Sequence, residues 1–396
     1  MQGFQHFAVL IEQDFGWSKT RISSVFALNR VESGLLGPLH GWALDRWGPK
    51  LVMRTGGVVM GIGFFLFSRM DTLFEFFAYF VIIAVGASLS GFLTVTTATV
   101  KWFERRRARA LAVSATGFAI GGACAPILVW ILRTFGWRDT AAGIAVVLVV
   151  VIWALASYFD GAPHDYGLPV DGINPEDLPV AESRPEGVSD ISFTAKEAMR
   201  TRAFWLISLG HTSALFTVSA VLAHLSLALT SEHGYSFQQA SFVAGAVPTI
   251  QLFGIGLGGW LGDKINKRLI ASVAMLFHCV GLLMLAYATG PLMIWMFVVA
   301  HGLAWGARGP LMQALRADYF GTANFGQIMG FSSLIVMIGM ASGAVIVGSL
   351  TDATGSYRLG FTVVALLAGL GTVFFVFASP PKPPVRDGQV AASAAT

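Results

Sequence analysis

Apolar stretches long enough to cross a hydrocarbon core of roughly 30 Å, about 20 residues each, recur in series along this chain. They predict membrane spans at 21–44, 51–69, 74–100, 109–132, 138–159, 203–230, 237–261, 269–289, 291–315, 325–350 and 358–379. Ahead of these eleven lies 1–15, apolar at Phe4, Phe7, Ala8, Val9, Leu10 and Ile11 but too short to span. With no basic head and no small-residue cleavage site, it does not read as a signal peptide.

The pattern repeats. Gly16-Trp17-Ser18 with Ser23 matches Gly234-Tyr235-Ser236 with Ser241, an offset of 218 residues. The same offset carries Gly41-Trp42 and Asp45-Arg46 onto Gly259-Trp260 and Asp263-Lys264, and Ser114 and Gly121 onto Ser332 and Gly339. One residue further, Gly136-Trp137-Arg138 is similar to Gly355-Ser356-Tyr357-Arg358. Four landmarks in one order predict two homologous halves, a construction common in secondary transporters. Carried back by the same offset, the span that opens near Ala203 predicts that the first helix is present only in part, with Met1 a misassigned start or a fragment edge. A true eleven-span chain with an interfacial N-terminus is the alternative.

Composition agrees with a membrane protein: of 396 residues 55% are hydrophobic and 12% charged, where soluble domains carry about 25% charged. The net charge of +4 does not point to nucleic acid, because no solvated basic domain exists to bind it. Cys124 and Cys279 both sit in apolar runs, which argues against a disulfide framework, and no metal-ligand set or cofactor motif is visible. Basic residues sort by side. Eighteen fall in one set of connections, among them Arg46, Lys50, Arg105, Arg106, Arg107, Lys264 and Arg316, against six on the other. The positive-inside rule then puts the first set, the mid-chain linker and the C-terminus in the cytoplasm of a cell whose inner membrane holds the chain. The organisation expected is a six-helix half at 1–159, an acidic linker at 160–202, a second half at 203–379 and a disordered tail at 380–396. The linker's acids and prolines forbid a core, and Thr194 with Glu197 forms a capping box opening a short surface helix before the seventh span.

Gly41-Trp-Ala-Leu-Asp45-Arg46-Trp-Gly48-Pro-Lys50 resembles the signature loop of the major facilitator superfamily, and Gly259 to Arg268 is a weaker copy. Phe15-Gly-Trp-Ser18 and Trp102-Phe-Glu-Arg-Arg-Arg107 are similar to the monocarboxylate porter and oxalate/formate antiporter branch. The resemblance implies an all-α integral membrane fold of two six-helix bundles about a pseudo-two-fold axis. It implies gating by Gly41, Asp45, Arg46, Gly48, Asp263 and Lys264, with Asp45 near the N-terminus of the eleventh helix, around Asn324 to Gly326. There unpaired N–H groups and the helix dipole favour a carboxylate. Arg46 and Lys50 serve the charge rule equally well. The resemblance further implies a central cavity lined by the first, fourth, seventh and tenth helices. The family's basic residue in the eighth helix is missing here, and the exporter pattern in the fifth is half met by Gly117 and Gly121.

Ionisable groups inside spans are costly and functional by default. On the cavity helices they are His6, His211, His224, His301 and Arg308, while His278 lies on the ninth and reads as a packing histidine. His6 and His224 are repeat partners, expected to face one another or to join helices by hydrogen bonds. His211 and Arg308 share a depth if their helices end at Ala203 and Arg316. Arg308, in Gly306-Ala307-Arg308-Gly309-Pro310 beside Trp305, suits a carboxylate through its planar fork, and Pro310 predicts an opened turn. Arg30 and Glu32 point to different sides of the second helix. Glu32, the one deep carboxylate, suits proton coupling, since burial favours its protonated form; an ion pair with an arginine such as Arg308 is the competing role.

These readings predict a non-enzymatic secondary transporter that acts as a monomer, with no cofactor. It would move a small solute, an organic anion such as a monocarboxylate, by proton symport or anion exchange. Proton-driven efflux of an amphipathic compound is the alternative within transport, and a non-transporting membrane sensor the alternative outside it.

Overall fold

The computed structural model describes residues 4–18, 21–22, 24–25, 32, 34–159, 161–173 and 192–384. Arg30, most of the acidic linker and the end of the tail lie outside them. The helices are α1 (Phe4–Phe15), α2 (Gly37–Phe67), α3 (Leu73–Ser90), α4 (Phe92–Trp102), α5 (Arg107–Ala123), α6 (Ala125–Leu155) and α7 (Ala195–Met199). The C-terminal half follows with α8 (Arg202–Glu232), α9 (Phe237–Gly262), α10 (Lys267–Ala286), α11 (Pro291–Phe320), α12 (Phe325–Thr354) and α13 (Tyr357–Phe377). Nine helical stretches among the described residues are long and apolar enough to cross a membrane.

Eleven predicted spans and nine stretches reconcile at two glycines. In α2 the chain leaves helical geometry at Gly48 (φ 79°, ψ 162°), just before Pro49, and in α6 at Gly136 (φ 75°, ψ 167°). Each long helix is thus two arms meeting at the break expected between neighbouring spans, and only glycine adopts that backbone without strain. Side chains start several others: Thr72 with Glu75 boxes the start of α3, Ser236 with Gln239 that of α9, and Thr194 with Glu197 that of α7, the last as the sequence predicts. α11 departs from expectation. It stays helical through Pro310 and runs to Phe320, because neighbouring helices hold the turn that the missing N–H would loosen.

The repeat is visible in the element boundaries. Leu73 and Pro291 open equivalent apolar stretches, Trp102 and Phe320 close them, and Arg107 and Phe325 open the next pair of helices, each at the 218-residue offset. The linker grips equivalent points in both halves: Asp171 accepts the N–H groups of Glu104, Arg105 and Arg106, while Phe193 bonds the Phe320 carbonyl and receives the Asn324 amide.

The halves touch along α2 against α12 and α5 against α9. Both contacts lie at the Lys/Arg-rich end. A Cβ on Gly41 would overlap the Gly326 backbone, and one on Gly330 the Gly37 carbonyl, so these glycines bring two backbones together. Ala108 and Ala112 pack in the same way on Gly262 and Gly259. Toward the other end, Gly117 and Gly121 of α5 and Gly245 of α9 face open space. Among the described residues the halves close on one another at the basic end, and these three glycines make no such joint at the opposite one.

Gly41→Val should therefore part the halves at the basic end. Spin labels on cysteines replacing the exposed Trp47 and Ala323 would show a longer distance distribution; an unchanged one would contradict this packing.

Candidate functional site

The closed end is held by two carboxylates that cap helices of the opposite half. The first four N–H groups of a helix have no partner within it, and α12 has no capping side chain of its own. Asp45 supplies one: its two oxygens accept Gly326 N–H at 2.9 Å and Gln327 N–H at 2.8 Å. Asp263, its repeat equivalent, accepts Ala108 N–H at 2.9 Å and pairs with Arg109 Nε at 3.2 Å. Burial pushes the Asp263 carboxyl above the ordinary carboxylate range, against the pull of the Ala108 and Arg109 N–H groups and the Arg109 charge. Arg46 and Lys264 do not reach across. They lie over Trp42 and Trp260, 5.9 and 4.1 Å from the ring centres, so each basic residue stacks on the indole one turn earlier. Gly41 and Gly48 supply the close approach and the turn. A third link joins Arg107 of α5 to Asp318 of α11, whose other oxygen takes Lys267 Nζ at 2.8 Å.

Inside the C-terminal half lies a cluster of cations. Arg308 and Arg316 of α11 are each 1% exposed. Arg316 Nη2 meets His211 Nδ1 at 3.1 Å, its Nε and Nη2 bond the Ser332 hydroxyl at 3.1 and 2.7 Å, and Nη1 donates to the Met312 carbonyl at 2.9 Å. Ser332 also meets Ser208 at 2.9 Å. Arg308 Nε and Nη1 are buried with no hydrogen-bond partner. Among the described residues the ion pairs involve Asp71, Asp263 and Asp318, and none reaches Arg308 or Arg316. Removing a charge from water costs several kcal/mol unless it is paired.

The repeat shows that the fold does not require this cost. At the equivalent places in the first half stand Ser90, bonded to the Gly86 carbonyl, and the buried Ala98. Sequence reasoning placed Arg316 in a loop. The structure corrects this, since α11 continues for another turn and carries Arg316 inside; comparing Arg316 with Ala98 along the repeat was the signal available. With the helix end moved to Phe320, the depth argument that levelled His211 with Arg308 no longer holds, and the arginine that meets His211 is Arg316.

The other candidates separate. His301 is joined to His278 of α10, Nδ1 to Nδ1 at 3.0 Å, both fully buried, so His278 is more than packing. Helix membership misled there, because the side of α11 that bears His301 faces α10. His224 bonds the Ala344 carbonyl of α12 at 2.8 Å and lies by Tyr357, which makes it a helix-joining residue within its own half. No contact with His6 is found among the described residues; His6 Nε2 is buried without a hydrogen-bond partner. Glu32 accepts the Ser88 hydroxyl at 3.2 Å, and the ion pairs among the described residues do not join it to Arg308. Trp305 stands between His301 and Arg308 on α11, half-buried against the core, with its ring 6.3 Å from that of His301. No group of three metal-ligating side chains occurs among the described residues.

Known proteins share this architecture. The Major Facilitator Superfamily profile matches residues 4–227 and 207–395. Monocarboxylate transporter 13 of Bos taurus is 22% identical over 394 residues, covering 97% of this chain and 88% of that protein. The oxalate:formate antiporter of Oxalobacter formigenes is 23% identical over 331 residues, covering 81% and 73%. Among solved structures, the transporter FucP in its outward conformation superposes with a TM-score of 0.73 at 17% identity, covering 96% of this chain and 95% of that one. With two glycine-tight joints, two helix-capping aspartates and a profile spanning both halves, this chain belongs to the major facilitator superfamily of membrane transporters, which are not enzymes.

Proposed function

We propose that this chain is a secondary transporter of a small organic anion, working by alternating access between its two halves, 1–159 and 203–379, with the basic end facing the cytoplasm of a plasma membrane. The observation that carries this reading is the pair of buried guanidinium groups, Arg308 and Arg316, with no carboxylate beside them among the described residues. A charge kept in that environment at such cost is matched by an anionic ligand, and a carboxylate fits the guanidinium fork by two parallel hydrogen bonds. His211, bonded to Arg316, and Trp305, one turn before Arg308, are the polar and aromatic neighbours such a ligand would meet. His6, His224 and Arg30 are weaker members of the site, His224 because its ring already serves a carbonyl. The names of the monocarboxylate and oxalate:formate relatives support the same substrate class.

In this reading the closed basic end is the outward-facing state. Asp45, Asp263 and the Arg107–Asp318 pair hold it, and breaking them lets the anion leave inward. Coupling is by proton symport or anion exchange, with Glu32 a carboxylate able to carry the proton. The chain acts as a monomer, its linker and C-terminus inside.

The test is uptake of labelled small mono- and dicarboxylates into proteoliposomes, with and without a pH gradient. Saturable uptake is expected, falling about tenfold or more in Arg308→Ala; uptake unchanged by Arg308→Ala and by Glu32→Gln would overturn the site. A second expectation separates function from packing. Arg308→Met should raise the thermal midpoint by a few degrees, since it removes a buried unpaired charge, while abolishing uptake. A lowered midpoint would assign Arg308 to structure.

A further inference from the structure

We propose that His278 and His301 together form a proton-binding site that is filled when an anion binds beside Arg308. This deepens the anion-transport reading and rests on it.

The hydrogen-bond accounting of the pair is the starting point. The two Nδ1 atoms are 3.0 Å apart and both rings are fully buried. One ring must donate its Nδ1–H, leaving a lone pair on its Nε2; the other accepts at Nδ1 and carries its own proton on Nε2. Both Nε2 atoms are buried without a partner. The neutral pair therefore holds one orphan acceptor and one orphan donor, each costing about 1–3 kcal/mol.

Packing does not ask for this. At the equivalent positions the first half places Met60 and Ile83, both in an ordinary apolar core. The same helix pair, in the same fold, closes there without a polar atom.

The orphan lone pair is what a proton can use. A proton arriving from water binds it, no other bond breaks, and the positive charge is shared across the central N–H···N bond. The surroundings decide when this happens. α9 and the middle of α13 bring no titratable side chain to the pair, and α10 adds only the thiol of Cys279. α8 holds His211, bonded to Arg316. Arg308, seven residues after His301, lies on the same side of α11 about 10.5 Å along it. A second cation in this interior is repelled by Arg308 until an anion neutralises the guanidinium. Anion and proton thus enter together, and the anion comes first in effect.

The experiment compares wild type with the double variant His278→Met with His301→Ile, which copies the other half, using labelled acetate and oxalate in proteoliposomes. Wild type should exchange anion at equal pH and accumulate it against its gradient when the outside is acidic. The double variant should keep exchange within about twofold and lose accumulation by about tenfold or more. Accumulation surviving in the double variant would overturn the proposal. Absence of both processes in wild type would defeat the anion-transport reading itself. A binding readout covers a double variant that fails to transport: saturating oxalate added to unbuffered detergent-solubilised protein near pH 6 should draw about one proton from solution in wild type and none in the variant. Equal proton uptake by both would also overturn it.

Discussion

The structure depends on helix ends that one half of the molecule cannot complete by itself. α12 begins without a capping side chain, and the groups that satisfy its first N–H donors come from Asp45, on the other side of the interface. Asp263 does the same in reverse for Ala108. Such caps contribute about 0.5–2 kcal/mol each, modest against the stability of a membrane bundle yet large for a joint that has to open. They operate only because glycines let the backbones approach until a short aspartate reaches a helix terminus, at 37, 41, 326 and 330 in one joint and at 259 and 262 in the other. Size at these positions and charge at 45 and 263 are one device, and either alone would leave the donors facing an apolar gap.

Within the C-terminal half the energetics run the other way. Arg308 and Arg316 oppose folding, and only the second has its donors met, by Ser332, His211, the Gln313 side chain and the Met312 carbonyl. The repeat turns this from an oddity into a measurement, because the same scaffold is built a second time with serine and alanine at those places. What the first half shows to be unnecessary for packing is, in the proposed reading, what the second half has added for binding.

Much of this was legible in the sequence, and the limits have a physical cause. Spans follow from hydropathy, the halves from a constant offset, and the position of Asp45 from a motif joined to the electrostatics of a helix N-terminus; all three are properties of chain segments. The departures concern rotation about a helix axis. His278 looked like packing because its helix lies outside the cavity, although the ring turns toward His301. His224 sits on a cavity helix and faces a carbonyl of α12. Arg316 was misplaced by one helical turn, since an arginine before a glycine-rich connection reads as a loop residue whichever way the helix continues. Nothing in a single sequence fixes the facing of a residue inside a bundle where every side is apolar.

The asymmetry between the halves also bears on how binding moves the molecule. A ligand shifts a conformational equilibrium only by its differential affinity for the two states, so its contacts must connect to a joint that differs between them. α11 makes that connection. It is helical from Pro291 to Phe320, and it carries His301, Trp305, Arg308 and Arg316 on the way to Asp318, the residue that meets Arg107 of the other half. Ten residues separate Arg308 from Asp318, about 15 Å of continuous helix. In the proposed transport cycle, a displacement of α11 at its buried arginine would be carried along that length to the ion pair at the basic end, whereas the two aspartate caps, repeated on both sides, would follow the distance between the halves.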